Sequence, residues 1–152
     1  MIESDEVFQN GLYAAYADYL ARTHHEGQVD KAGNPYYLHV QAVGKMLEPH
    51  GYLAQAAGYL HDIVEDTEVT LDDLREHGFP EAVVSAVDAV TKRPGESYLD
   101  AVRRAAQHPL GRLVKLADNR HNSDEDRLAL LPEEKRDRLR KKYAEAREIL
   151  EA

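Results

Sequence analysis

The run Tyr52-Leu53-Ala54-Gln55-Ala56-Ala57-Gly58-Tyr59-Leu60 constrains this chain most, because it leads directly into His61-Asp62-Ile63-Val64-Glu65-Asp66. A run this apolar belongs in a core, and it brings a histidine and three carboxylates with it. Buried charge is tolerated only when it is paired or coordinates a metal. The whole stretch reads as one helix. On it His61 and Glu65 share a face, and Asp62 and Asp66 share the adjacent one. One layer suits holding an ion and the other suits moving protons.

The rest of the chain is also helical in period. Leu12, Tyr16, Tyr19 and Leu20 lie on one face of a first helix, with Phe8 a turn before, and the helix should end near Gly27. Asp30-Lys31-Ala32-Gly33-Asn34-Pro35 is rich in breakers. A second helix is predicted from Tyr36 to Glu48, stopped by Pro49 and Gly51. Thr70-Leu71-Asp72-Asp73 reads as an N-cap with a carboxylate three residues on, opening a short helix to Gly78. Pro80 opens a helix bearing Val83, Val84, Val87 and Val90, and Arg93-Pro94-Gly95 ends it. Further helices are predicted from Ser97 to Gln107, from Pro109 with Leu113, Leu116 and Ala117 inward, and from Pro132 with Leu139, Tyr143, Ala146 and Leu150 inward. No stretch alternates with period two, and no repeat or linker interrupts the pattern. The expectation is a single all-α domain over residues 1–152, with about seven to eight helices.

Composition narrows the chemistry. With 152 residues the chain can bury a core. It has no cysteine, so disulfides and thiolate metal sites are excluded. Any metal must be held by His, Asp, Glu or Asn, which favours Mn, Mg, Fe or Zn. A net charge of −9 argues against a nucleic-acid surface. It leaves room for a small phosphorylated substrate, since a bound cation and local Lys or Arg reverse the field in a pocket. No apolar stretch is long enough to span a bilayer. The acidic start, Met1-Ile2-Glu3-Ser4-Asp5-Glu6, lacks a signal-peptide core, so cytoplasmic residence is expected.

Four metal-ligand candidates stand in apolar helical surroundings: His39, His61, Asp62 and Asp118. They come from three helices, as bundle-core metal sites do, and leave positions open for water and a phosphate oxygen. Glu65 and Asp66, a turn further on, are the candidate acid–base pair; the plainer alternative is a solvated helix end with Thr67 and Glu68. Asn122, a turn after Asp118, is placed either to bond a substrate oxygen or to cap its helix. His24, His25, His50, His77, His108 and His121 are expected at the surface. Tyr13, Tyr16 and Tyr19 are expected to pack. Lys135 to Lys142 is read as a solvated face, with Lys142 and Tyr143 at the border of a pocket.

These residues resemble a known family. His39, His61-Asp62 and Asp118 resemble the H…HD…D signature of HD-superfamily metal-dependent phosphohydrolases. His25-Glu26-Gly27-Gln28 with Lys31-Ala32-Gly33-Asn34-Pro35-Tyr36 resembles the opening of the hydrolase domain of RelA/SpoT proteins. Leu60-His61-Asp62-Ile63-Val64-Glu65-Asp66-Thr67 and Val114-Lys115-Leu116-Ala117-Asp118-Asn119-Arg120-His121-Asn122 resemble two further motifs of that domain, in the same order. The resemblance implies an HD-type helical bundle, a bound Mn²⁺ or other divalent metal, and removal of the 3′-pyrophosphate of (p)ppGpp. It makes His39, His61, Asp62 and Asp118 the metal ligands, Glu65 and Asp66 the catalytic pair, and Lys31 and Asn122 substrate contacts. The partner is then a small nucleotide, not nucleic acid or membrane, and the length suggests a stand-alone small hydrolase.

Three positions depart from the family. Asp30 stands where an arginine usually packs on guanine, Val40 where a proline follows the first histidine, and Ser123-Asp124-Glu125-Asp126-Arg127-Leu128 where "MRTL" follows the asparagine. A carboxylate at position 30 is expected to repel phosphate and weaken guanine preference. Two other readings stay open: a general nucleotidase, or a nucleotide sensor without turnover.

Overall fold

Helix α3 (Tyr52–Leu60) runs through the middle of the molecule. Ala54, Ala56, Ala57 and Leu60 on it are fully enclosed. A helix apolar all round must be surrounded, and α3 packs against α1 (Ile2–His24), α2 (Tyr37–Met46), α6 (Glu81–Val90) and α8 (Pro109–Asn122). The computed structural model describes residues 2–152, with side chains from Asp5 onward. Met1, where the acidic opening stretch begins, lies outside the described residues. The remaining helices are α4 (Ile63–Asp66), α5 (Leu71–Glu76), α7 (Tyr98–Ala106), α9 (Glu125–Leu128) and α10 (Glu133–Glu151). Among the described residues no strand forms, so the fold is all-α; Val29 and Pro35 make one isolated bridge.

The approach of α2 to α3 depends on two glycines. A Cβ on Gly44 would lie 2.3 Å from the Tyr59 ring, and one on Gly58 would lie 2.6 Å from Leu47 Cδ1 and 3.0 Å from the Gly44 backbone. The backbones therefore meet where neither residue has a side chain. His39 is carried on α2 and His61 just beyond α3, so this crossing sets their separation.

The expected single helix through His61–Asp66 is broken. α3 ends at Leu60, His61 and Asp62 form a turn, and α4 restarts at Ile63. The cause is local: the His61 ring donates from Nδ1 back to the Gly58 carbonyl at 2.7 Å. The chain resumes through Asp66 N to Asp62 O at 2.9 Å. That break, the extra turn α9 and a 3-10 turn at Glu48–His50 are what the sequence-based element count missed.

Most other expectations match. Thr70 and Asp73 form the reciprocal capping box that opens α5. Val83, Val84, Val87 and Val90 of α6 are buried, as are Leu139, Tyr143, Ala146 and Leu150 of α10. Helix α1 departs from expectation. Its inward face is Ala14, Ala17, Leu20 and Ala21, while Phe8, Leu12 and Tyr19 are exposed. Small side chains let α1 lie close to α3, and the bulky row is displaced one step around the helix. Tyr13 and Tyr16 still pack, against Phe79.

Two satellite clusters fasten α10 across the bundle: Val102 with Ala146 and Leu150, and Leu128 with Leu139 and Tyr143. The α6–α7 connection is tied by Arg104. Its guanidinium donates to the carbonyls of Asp88, Ala89 and Thr91 at the C-terminus of α6, and to both oxygens of Glu96.

Candidate metal centre

The α2/α3 crossing and helix α8 bring His39, His61, Asp62 and Asp118 together. One ligand atom each from His39, His61 and Asp62 lies within 4.8 Å of the others. Asp118 Oδ1 is 2.9 Å from His39 Nε2 and 3.4 Å from His61 Nε2. Asp62 Oδ2 is 2.9 Å from His61 Nε2 and 3.9 Å from His39 Nε2. Both histidines are buried.

The polar bookkeeping around His61 does not close on protein atoms alone. Nδ1 donates to the Gly58 carbonyl, so the neutral ring presents a lone pair at Nε2. Nε2 is buried and makes no well-formed hydrogen bond, although two carboxylates face it. A lone pair against carboxylate oxygens is repulsive unless a cation sits between them. Nitrogen and oxygen donors without sulfur suit a hard or borderline divalent ion. The residues present therefore fit a metal.

The surrounding charges obey the same logic. Burial opposes the charged forms throughout, but the neighbours outweigh it. With no cation between them, Asp62 and Asp118 raise the His61 pKa well above the usual histidine value, so a proton on Nε2 takes the place a metal would fill. Lys115 and His61 hold Asp118 well below the carboxylate range, and His61 brings Asp62 down to about 2. Lys115 Nζ donates to Asp118 Oδ2 at 3.0 Å, and Asn122 Nδ2 donates to Asp118 Oδ1 at 2.9 Å. The Tyr36 hydroxyl donates to Asp62 Oδ2, and burial together with that carboxylate raises its pKa. Asn122 thus sits at the end of α8 but bonds Asp118, in addition to lining the neighbouring cavity.

Glu65 and Asp66 lie beyond the turn, exposed at the mouth of the site. Glu65 Oε1 accepts from the Lys92 backbone at 2.8 Å, which ties it to the α6–α7 connection. Desolvation, then Asp62 and Glu65, push the Asp66 carboxyl up to about 6. Because the helix breaks at His61–Asp62, the two faces expected for an unbroken helix do not exist. The pair reaches the site from a separate turn.

A cavity of about 270 Å³ opens beside the cluster. Lys31, Tyr36, Asn122 and Arg127 supply its polar wall, and Leu128 and Tyr143 part of its apolar one. Burial lowers the Lys31 pKa, with Lys142, Lys135, Arg138 and Arg127 adding to it. Two cations, Lys31 and Arg127, thus line one cavity in a chain of net charge −9, and Lys142, Lys135 and Arg138 add to the positive field at Lys31. Asp30 lines the same cavity, with its carboxylate held by its own turn and by Arg127. Its Oδ1 accepts from the Ala32 and Asn34 backbones at 2.9 Å each, and its Oδ2 lies 3.5 Å from Arg127. The carboxylate templates its own turn, in which Gly33 takes a φ of +87°.

A family model described as HD domain matches residues 17–109, more than half of the chain. The chain belongs to the HD domain family. Membership implies divalent-metal binding, and the His/Asp cluster is a group that could hold such an ion; Asp118 lies beyond the matched stretch and meets the cluster from α8. A GTP pyrophosphokinase of Streptomyces coelicolor is 38% identical over 141 residues, covering 86% of this chain and 16% of that protein. The bifunctional (p)ppGpp synthase/hydrolase SpoT of Escherichia coli is 33% identical over 116 residues, covering 68% of this chain and 16% of SpoT. A guanosine-3′,5′-bis(diphosphate) 3′-pyrophosphohydrolase of Vibrio cholerae is 37% identical over 100 residues, covering 64% and 14%. The chain thus spans about one sixth or less of the length of these curated relatives. A solved structure, of a metazoan ortholog of SpoT that hydrolyses ppGpp, superposes with a TM-score of 0.72 at 25% identity. That match covers 88% of this chain and 84% of the other.

Five residues of this HD domain escape a reading of the sequence or are misplaced by it. Tyr36 and Lys115 stand inside the family-like motifs, and the i,i+3 spacing of Lys115 to Asp118 is a usable signal. His121 was expected at the surface, but its Nδ1 lies 2.7 Å from His39 Nδ1; burial first, then His39 and Arg127, bring its pKa down to about 4. His25 is also buried, not exposed, and donates to Gln28 at 2.8 Å. His108, likewise expected at the surface, is half-buried and accepts from the Gly111 backbone as the N-cap of α8.

Proposed function

We propose that residues 1–152 form one HD domain that hydrolyses a phosphorylated nucleotide, with (p)ppGpp as substrate and the 3′-pyrophosphate as leaving portion. Mn²⁺ is the proposed metal, held by His39, His61, Asp62 and Asp118. The observation that carries this reading is the buried, unpartnered His61 Nε2 between two carboxylates, beside a cavity lined by Lys31 and Arg127. The names of the SpoT-type relatives supply the substrate class.

When bound, the metal supplies a water acidic enough to attack near neutral pH and polarises a phosphoryl oxygen. The chain's own groups do the rest. Lys115 balances the charge of Asp118 and keeps it ionised. Tyr36 and Asn122 fix the orientation of Asp62 and Asp118 by donating to them. Asp66, with a pKa near 6, takes up a proton as the nucleophile forms, and Glu65 is held alongside by the Lys92 amide. Lys31 and Asn122 contact the phosphates from the cavity wall. The apolar wall of Leu128 and Tyr143 receives the base. No helix among the described residues is long and apolar enough to cross a membrane. We place the protein in the cytoplasm, acting on a small molecule rather than on nucleic acid or membrane.

The test is phosphate and pyrophosphate release with Mn²⁺ over ppGpp, its adenine counterpart, GTP and GMP. Pyrophosphate from ppGpp supports the reading. Release from ordinary nucleotides alone replaces it with a general nucleotidase, and release from none favours a sensor.

A further inference from the structure

Helix α1 carries two apolar rows. The core uses the inward one, Ala14, Ala17, Leu20 and Ala21. The second row faces solvent: Phe8 is 69% exposed, Leu12 48% and Tyr19 57%. Large apolar side chains grouped on a surface mark it as a place of contact. Asp5, Ala15 and Arg22 are exposed as well and complete the row, at positions 5, 8, 12, 15, 19 and 22. The steps alternate between three and four residues, which is the seam spacing of two paired helices. Tyr52 broadens the strip on one side. Its ring lies 3.5 Å from where a Cβ on Gly11 would stand, and it is still 46% exposed.

The seam is complementary to itself. Laid antiparallel against a second α1, Asp5 meets Arg22, Phe8 meets Tyr19 and Leu12 meets Ala15. A two-fold axis then repeats each pairing on the other side. Opposite charges meet at both ends, aromatic meets aromatic, and a large aliphatic side chain meets a small one. A parallel pair would set Asp5 against Asp5, Arg22 against Arg22 and Ala15 against Ala15. Arg22 is accessible for the pairing, because its 3.7 Å contact with Asp18 leaves 63% of its side chain exposed.

We propose that two copies of this chain associate through α1, antiparallel about a two-fold axis, with Phe8, Leu12 and Tyr19 at the centre of the contact and Asp5–Arg22 pairs closing its ends. The seam shares no residue with the His/Asp cluster or with the cavity beside it. The association therefore concerns assembly and does not depend on the hydrolytic reading.

The experiment uses the full 152-residue chain. Sedimentation equilibrium from about 1 µM to about 1 mM, which spans weak to moderate affinities, should show a reversible rise from the 17.2 kDa of one chain to twice that mass. Phe8→Glu puts a carboxylate into the seam at two symmetric places and should weaken the dimer by roughly 100-fold or more, with helical content kept. Tyr19→Glu faces the same layer from the other chain, should have the same effect, and serves if Phe8→Glu does not fold. Direction is read by crosslinking, to which the chain contributes no cysteine of its own. Asp5→Cys and Arg22→Cys are prepared separately and treated with a short bismaleimide. Their equimolar mixture should give a crosslinked dimer. Neither alone should, because like positions lie about 25 Å apart across the axis. A single-chain mass throughout would overturn the proposal and leave the row to a partner of another sequence. A dimer that both glutamate variants leave intact would overturn it too, by placing the contact on another surface. Crosslinking of either cysteine variant to itself would replace the antiparallel seam with a parallel one and defeat the pairing argued here.

Discussion

The Arg104 joint and the His61 cluster are built from similar residue types to different rules. At Arg104 every polar group finds a partner: three carbonyls and both oxygens of Glu96 take the guanidinium's hydrogens. At His61 the count fails by one on the neutral ring, whose buried nitrogen faces two carboxylates and is completed only by a proton or a cation. One cluster fastens the fold and the other makes a site. The His61 cluster is the more deeply buried of the two, and it is the one whose hydrogen bonding protein atoms alone do not complete with the ring neutral.

Substitutions should divide the two clusters cleanly. The largest effect is expected at Asp118→Asn. It removes the carboxylate shared by both histidines, so Mn²⁺ binding and hydrolysis should drop to background with helical content kept. Calorimetry and circular dichroism on one preparation check both halves. Unchanged Mn²⁺ affinity would make Asp118 a structural residue like Glu96.

Next come Glu65→Gln and Asp66→Asn. Each should keep the metal and lose ~10²–10⁴-fold in kcat, the usual contribution of a positioned acid–base group. The Asp66 carboxyl has a pKa of about 6, so it is a usable base above that pH and a neutral acid below. The wild-type rate should therefore rise through pH 6, and that limb should vanish in Asp66→Asn. Losses under about threefold at both positions would restore the plain helix-end reading.

Arg104→Ala should do the reverse of Asp118→Asn. It leaves the Ala89 carbonyl without a donor and leaves those of Asp88 and Thr91 to Arg93, for a loss of ~1–3 kcal/mol in unfolding free energy, while Mn²⁺ affinity stays the same. Urea melts with and without metal test this. A weakened metal site would show that the two clusters are coupled after all.

The smallest effect concerns acid. Arg104 first, then the Arg93 amide, lower the Glu96 carboxyl from 4.5 to about 2. A folded-state pKa below the unfolded one stabilises the fold above pH 4.5, and that stabilisation fades as pH falls toward 2. The difference in melting temperature between wild type and Glu96→Gln should shrink across that window. A constant difference would mean that Glu96 acts by packing and not by charge.

How much of the molecule was legible in the sequence depends on distance along the chain. Helices were read where one face carries the core, as with the valines of α6 or Leu139, Tyr143, Ala146 and Leu150 of α10. The four ligand candidates were read because His and Asp in apolar settings demand an explanation wherever they occur. The break at His61 was not legible, since it arises from a side chain bonding its own backbone. Nor was His121, which is separated from His39 by 82 positions and differs in no local way from a surface histidine. Phe8, Leu12 and Tyr19 misled because apolar periodicity shows that a face exists, not which of two neighbouring faces is inward. At Asp30 the carboxylate's sign was legible, and its bonds to its own turn and to Arg127 were not.

The contact of Gly44 with Gly58 has a consequence for anyone moving this site elsewhere. Grafting His39, His61, Asp62 and Asp118 onto another helical scaffold would transfer the donors without their spacing. The spacing belongs to a place where two backbones touch, because a Cβ at Gly44 would meet Tyr59 at 2.3 Å and one at Gly58 would meet Leu47 at 2.6 Å. The smallest transplantable unit is therefore a pair of crossed helices, and its least replaceable positions are two that present no functional group at all.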